Sequence, residues 1–266
     1  MADKFSECWK RLDRADAHGH AFVDGCNDFL ARKPYDTIQE MRDDRNGVIK
    51  IVLNEDVDWA LSLILGEFFY QLRAVLDSVV WQAYLMTGGT ESSPQAKDVY
   101  FPLCAKPSTF QNAAINLRYL PDSLKLWLRK VQPCYAGEFA YDPDAVAIRE
   151  ALEIIHRCAK ADRHRRLHVV AAHLADVTAS VEATPPAHVA YCTTTKAAFF
   201  EKEAIVALFG ISGNDPETKI RTNGNFTVQI SIKEVAPEPG ADVAHQLLHL
   251  ANVVRFTVLT FEEAFE

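Results

Sequence analysis

The chain lacks the signatures that tie a sequence to a common chemistry. It has no glycine-rich phosphate loop, no G-x-S-x-G elbow and no H-E-x-x-H motif, so nucleotide-dependent and common hydrolase chemistries have no anchor. No CxxC pair occurs among Cys8, Cys26, Cys104, Cys134, Cys158 and Cys192, which lie far apart in a chain too large to need disulfide staples. They read as reduced thiols of a cytoplasmic protein. A run of about 18 apolar residues, the minimum for a transmembrane helix, is missing, and no membrane partner is expected. The opening MADKFSECWKRLDR is charged from its third residue and has no apolar h-region, so it does not read as a signal peptide. Basic excess is missing too. A net charge of −8 argues against a protein that wraps nucleic acid or lies on an anionic membrane, while leaving room for a local basic patch. There is no internal repeat and no low-complexity tract.

What the chain does have is material for a core: 266 residues, 48% of them hydrophobic and 10% aromatic. Four long helices are predicted, near 3–31, 58–86, 143–165 and 241–264, each with apolar residues at three-to-four spacing. Asp56 or Asp58 can cap the second, and Thr87-Gly88-Gly89 stops it. Asp142-Pro143 gives the third an acid cap with proline in the first helical position. Shorter helical pieces are expected after Ser108 and after Pro121. Asn46-Gly47 between Thr37–Met41 and Val48–Leu53 signals a hairpin. Strands near 169–234 alternate most strictly at Phe226, Val228, Ile230 and Ile232, with Ile211–Asn225 read as a surface loop; Ala171–Ala175 and Lys196–Ala204 also admit a helical reading. The expectation is one α+β domain over 1–266: a helical bundle of about four long helices, with a β-hairpin and an antiparallel sheet inserted before the C-terminal helix.

Chemistry-bearing residues concentrate in Ala151–Val170, ALEIIHRCAKADRHRRLHVV. Ile148, Leu152, Ile155 and Ala159 share a helix face, and Asp162 is the next position on it. An acid continuing a core stripe needs a cation or several donors, and Arg73 on the second helix is the expected partner. Beside that helix's stripe of Leu65, Phe69, Leu72, Leu76, Val79 and Ala83 sit Glu67, Arg73 and Asp77, the last two spaced to pair on one face. Glu67, Arg73, Asp77 and Asp162 are the candidate binding residues. The set admits two readings: a histidine acid–base site whose arginines hold a phosphate or carboxylate, or an ion-pair network that locks two helices in register. His164/His168 and His245/His249, each four apart, and Glu153 with His156 give a weaker metal reading; of these His245 and His249 are the candidate ligands. Cys158 reads as a semi-buried structural thiol before a nucleophile.

Leu65-Gly66-Glu67, Leu72-Arg73, Leu76-Asp77, Trp81-Gln82, Phe101-Pro102 and Asp162-Arg163-His164-Arg165-x-x-His168 follow in an order that resembles a widespread set of uncharacterised bacterial proteins. Those carry a "GE…LR..LD…WQ" helix, an "FP" segment and a "DKHR..H"-like stretch. The resemblance spans most of the chain and implies a shared pattern without an activity. The chain departs from it with Tyr70-Gln71 in place of His-Asn, Ser78 where His follows the Asp, and Arg163 in place of Lys. A weaker similarity is to HEPN-type ribonucleases, helical bundles that cleave RNA without metal through an arginine followed a few residues later by histidine. Arg163/His168 and Arg157/His164 match that spacing, as do Arg11/His18, Arg14/His20, Arg149/His156 and Arg166/His173. It implies a metal-independent ribonuclease of toxin or defence type, with His164, Arg165, His168 and Arg157 as catalytic candidates, no cofactor, and RNA or a small anionic ligand as partner. The alternatives are a non-catalytic interaction protein with a structural Arg/Asp/His network and a metal-binding bundle.

Overall fold

The structure is a computed structural model that describes residues 4–164, 169–184, 187–195, 202–213, 219–232, 235 and 242–266. The fold is α+β. The chain opens with α1 (Ser6–Ala31), the strands β1 (Tyr35–Met41) and β2 (Asn46–Leu53), and α2 (Trp59–Met86). Next come α3 (Pro107–Asn116), α4 (Asp122–Lys130) and α5 (Pro143–His164). Strands β3 (Val169–Ala183), β4 (His188–Thr194), β5 (Glu203–Ser212) and β6 (Ile220–Ile232) precede α6 (Val243–Glu263).

Local chemistry sets the helix ends. Asp58 Oδ1 accepts the Ala60 N–H at 2.9 Å and so caps α2. Gly88, at φ 90°, turns the chain out of that helix. Asp142 Oδ1 accepts the Ala145 N–H at 3.0 Å, with Pro143 supplying the first helical residue of α5. The helical turn expected after Ser108 is a full ten-residue helix, α3, begun by Pro107.

The chain forms two compact units. One comprises Met1–Phe22, Leu63–Leu167 and Ala244–Glu266; the other comprises Val23–Ser62 and His168–Val243. In the second unit β1, β2, β5 and β4 make one four-stranded sheet in that order, and β3 pairs with β6. The hairpin therefore does not stand alone. Val48, Ile49 and Ile51 are fully buried, more apolar surface than a two-stranded ribbon can cover, and β5 supplies the second neighbour. The loop expected over Ile211–Asn225 is shorter than its composition suggests. β5 runs to Ser212 and β6 begins at Ile220, because Ile220–Asn223 pair in register with Ser180–Ala183 of β3, and that ladder overrides the weak strand propensity of asparagine and glycine. Ala171–Ala175 is strand; of Lys196–Ala204, residues 196–201 lie outside the described residues and β5 starts at Glu203.

The first unit holds most of the helical residues. On α2, Leu65, Phe68, Phe69, Leu72, Val75, Leu76, Val79, Val80 and Ala83 are all essentially inaccessible, a stripe so wide that the helix is enclosed on most sides. α1 meets it where Gly19 faces the Phe68 ring. α6 is tied to α1 at two points: Trp9 Nε1 donates to Glu262 at 2.6 Å, and Arg255 pairs with Asp16 at 2.7 Å. α4 touches α6 through Trp127 edge-on to Phe261, 6.2 Å between ring centres. No described helix is long and apolar enough to cross a membrane.

Candidate functional site

Two charged clusters lie along α2. The first is built on Arg73 and Asp77, one helical turn apart, whose Nη2 and Oδ1 are 2.7 Å from each other. Both also reach the backbone of one residue in the irregular segment after α2. Arg73 Nη2 donates to the Phe101 carbonyl at 2.7 Å, and the Phe101 N–H donates to Asp77 Oδ1 at 3.0 Å. Gln132, fully buried, extends the pattern: its Oε1 accepts the Cys104 N–H, and its Nε2 donates to the Pro102 and Leu128 carbonyls. A segment with no ladder of its own thus has its polar backbone satisfied by three side chains. Burial pushes the Arg73 guanidinium below its ordinary range and Asp77 opposes that shift. The same neighbourhood holds His156 of α5, whose Nδ1 is buried without a hydrogen-bond partner, as is Arg73 Nη1. Burial, then the charges of Arg73, Arg163 and Lys160, hold the His156 pKa below its ordinary value.

The second cluster is the open one. Asp162, on the last turn of α5, lies directly on Gly66 of α2, where a Cβ would overlap its carboxylate. The close approach is possible because position 66 has no side chain. Burial raises the Asp162 pKa, and the negative charge of Glu67 raises it further. Glu67 in turn faces His18 of α1, with Oε2 3.1 Å from Nδ1; the imidazole is 14% exposed and the carboxylate 61%. These groups line a pocket of about 400 Å³ together with Arg14, Leu63, Tyr70 and Gln71. With Nδ1 protonated the ring donates to Glu67, which leaves Nε2 as an acceptor. One pocket therefore collects an oriented imidazole, an acid with raised proton affinity, a guanidinium and a phenol.

The Arg73–Asp162 pair expected from the helix faces is not formed: Arg73 is bound to Asp77 and Phe101, and Asp162 contacts Gly66 and feels Glu67. Of the catalytic candidates, Arg165 and His168 lie outside the described residues. His164 is exposed at the C-terminal end of α5, and Arg157 is exposed one to two turns earlier. Arg163 is spent locally, its Nε donating to the Ala159 carbonyl at 3.3 Å. His245 and His249 are both exposed on α6, and among the described residues no three His, Cys, Asp or Glu side chains assemble into a group that could hold a metal ion. Cys158 is fully buried. The cysteines are free thiols, and burial pushes Cys8 and Cys26 up to about 12.

His18 and Arg14 belong to the pocket without having stood out in the sequence. Their signal was present in the Arg14/His20 and Arg11/His18 spacings, which the same chain repeats elsewhere. Gln132 gave none. No family model, no curated protein and no solved structure matches the chain.

Proposed function

We propose that the pocket lined by α1, α2 and α5 is a metal-independent acid–base site that cleaves short single-stranded RNA. His18, oriented by Glu67, accepts the proton of the 2′-hydroxyl as that oxygen attacks the adjacent phosphorus. Arg14 pairs with the phosphoryl oxygens and stabilises the charge that builds on them. The bond from phosphorus to the 5′-oxygen breaks, and that oxygen takes the proton of Asp162. The products are a 2′,3′-cyclic phosphate and a 5′-hydroxyl end.

One observation carries the reading: Asp162, whose pKa is raised by burial and by the charge of Glu67, lines the same pocket as an imidazole already oriented by that glutamate. An ionised Asp162 would repel a phosphate; a protonated one donates to it. Tyr70, 56% exposed at the pocket edge, offers a face on which an unpaired base can stack. The net charge of −8 favours a short, weakly held substrate over a long duplex.

The test is incubation of the full chain, in EDTA, with a single-stranded oligonucleotide and with its all-deoxy counterpart. Cleavage of the ribo form alone, with a cyclic phosphate terminus, is the expected outcome. Equal cleavage of both, or none of either, overturns the reading. The second reading is a non-catalytic interaction protein, favoured by the Arg73–Asp77 pair being committed to the Phe101 backbone; it expects no turnover and no effect of substituting His18.

A further inference from the structure

α3 and α4 border a cleft of about 290 Å³ that shares no lining residue with the RNA-cleaving pocket. Its lining is Phe110, Ala114 and Leu117 from the α3 side and Lys125, Leu126, Leu128 and Arg129 from α4. Phe110, Leu117 and Leu128 are buried, Leu126 is 52% exposed, and Ala114 is the smallest of the lining residues. Phe110 is fixed edge-on against Tyr135, 5.6 Å between ring centres. No acidic side chain lines the cleft.

The two cations stand one turn apart on α4, so they border the same edge of an otherwise apolar space. Each is engaged only at the surface. Lys125 pairs with Asp122, which is almost fully exposed, and Arg129 pairs with Glu138 while its guanidinium lies 4.6 Å from the centre of the Tyr135 ring. Exposed pairs of this kind contribute little, so an incoming carboxylate can replace them at small cost. The stacked Arg129 presents a planar fork that suits a carboxylate bidentately. Two cations at the edge of an apolar cleft, each held by one exposed acid outside the lining, select an anionic head on an apolar tail once that head displaces the acids.

We propose that this cleft binds a medium-chain monocarboxylate, its hydrocarbon tail against Phe110, Ala114, Leu117 and Leu128 and its carboxylate at Lys125 and Arg129. The site is independent of the RNA-cleaving pocket. Titration of the full chain with butanoate, hexanoate, octanoate and dodecanoate, followed by calorimetry and by the emission of Trp127 on the same helix, is the test. Affinity rises about fourfold per added methylene while the tail is being buried, then levels once the cleft is full. Octylammonium, with the same tail and the opposite head, binds at least about tenfold more weakly than octanoate if the two cations select the head. Ala114→Phe fills the space and abolishes octanoate binding. The double variant Lys125→Gln, Arg129→Gln changes only surface groups and weakens octanoate without weakening octylammonium. Absence of saturable octanoate binding, equal binding of octylammonium, or undiminished octanoate binding by the surface double variant overturns the proposal.

Discussion

The two charged clusters on α2 are built from the same residue types and end in opposite states. Arg73 and Asp77 close on each other and on both polar groups of Phe101, so the ion pair is consumed by holding an irregular segment against the helix. Glu67 and Asp162 are both acids, and the group beside them is the imidazole of His18, 3.1 Å from Glu67. A pair that is tied to backbone locks structure. A pair of acids that raises the proton affinity of one member, beside an open pocket, is what the proposed proton transfer draws on.

Breaking the first cluster should have the larger effect on stability. Arg73→Ala leaves Asp77 without its cation and the Phe101 carbonyl without its donor, and is expected to cost about 3 kcal/mol or more. Arg73→Gln, which can keep one donor, should recover part of it. Denaturant midpoints read the loss, and the cleavage rate per folded molecule should stay near wild type. An equal fall in rate would erase the contrast.

Gly66→Ala sharpens it. The new Cβ occupies the place of the Asp162 carboxylate, so strain of about 1–3 kcal/mol is expected together with loss of activity, because the acid is driven from its seat. Pairing it with Asp162→Ala tests the cause. The stability cost of Gly66→Ala should shrink in the double variant, since the clash is gone.

The smallest effects are in pH dependence, and they have opposite signs. Asp162 holds its proton more tightly folded than unfolded, so wild-type stability from this group falls as pH rises from the unfolded carboxylate range through the raised folded value. Asp162→Asn should therefore gain on wild type as pH rises above 3.8 in thermal melts. His156 binds its proton less tightly folded than unfolded, so its contribution is intact above 6.5 and is lost as pH falls below that value. His156→Gln should flatten the acid limb alone.

Much of this was legible in the sequence where the cause is local. Asp58, Asp142-Pro143 and Gly88 mark helix ends because capping uses residues within one turn. The 3.6-residue period carried the α5 stripe through Ala159 to Asp162, and the spacing of Arg73 and Asp77 gave their pairing. What stayed hidden has a physical reason. The Phe101 backbone, which completes the first cluster, has no side-chain signature, and the neighbour that admits Asp162 is a missing one, at Gly66. Arg73 was the natural partner for a buried acid, yet a nearer acid and a carbonyl claimed it. His18 comes from a helix more than a hundred residues away in sequence from Asp162, and one more Arg/His spacing in a chain with several could not single it out. Strand β6 was underestimated because its first half is stabilised by pairing with β3, which single-strand composition does not report.

The most direct measurement is the single-turnover cleavage rate of a ribo-oligonucleotide by His18→Ala and by His164→Ala, each compared with wild type at matched thermal stability. The expected result is a loss of about 10²-fold or more for His18→Ala and little change for His164→Ala. Unchanged cleavage by His18→Ala, or a loss confined to His164→Ala, would contradict the assignment of the chemistry to the pocket of Arg14, His18, Glu67 and Asp162.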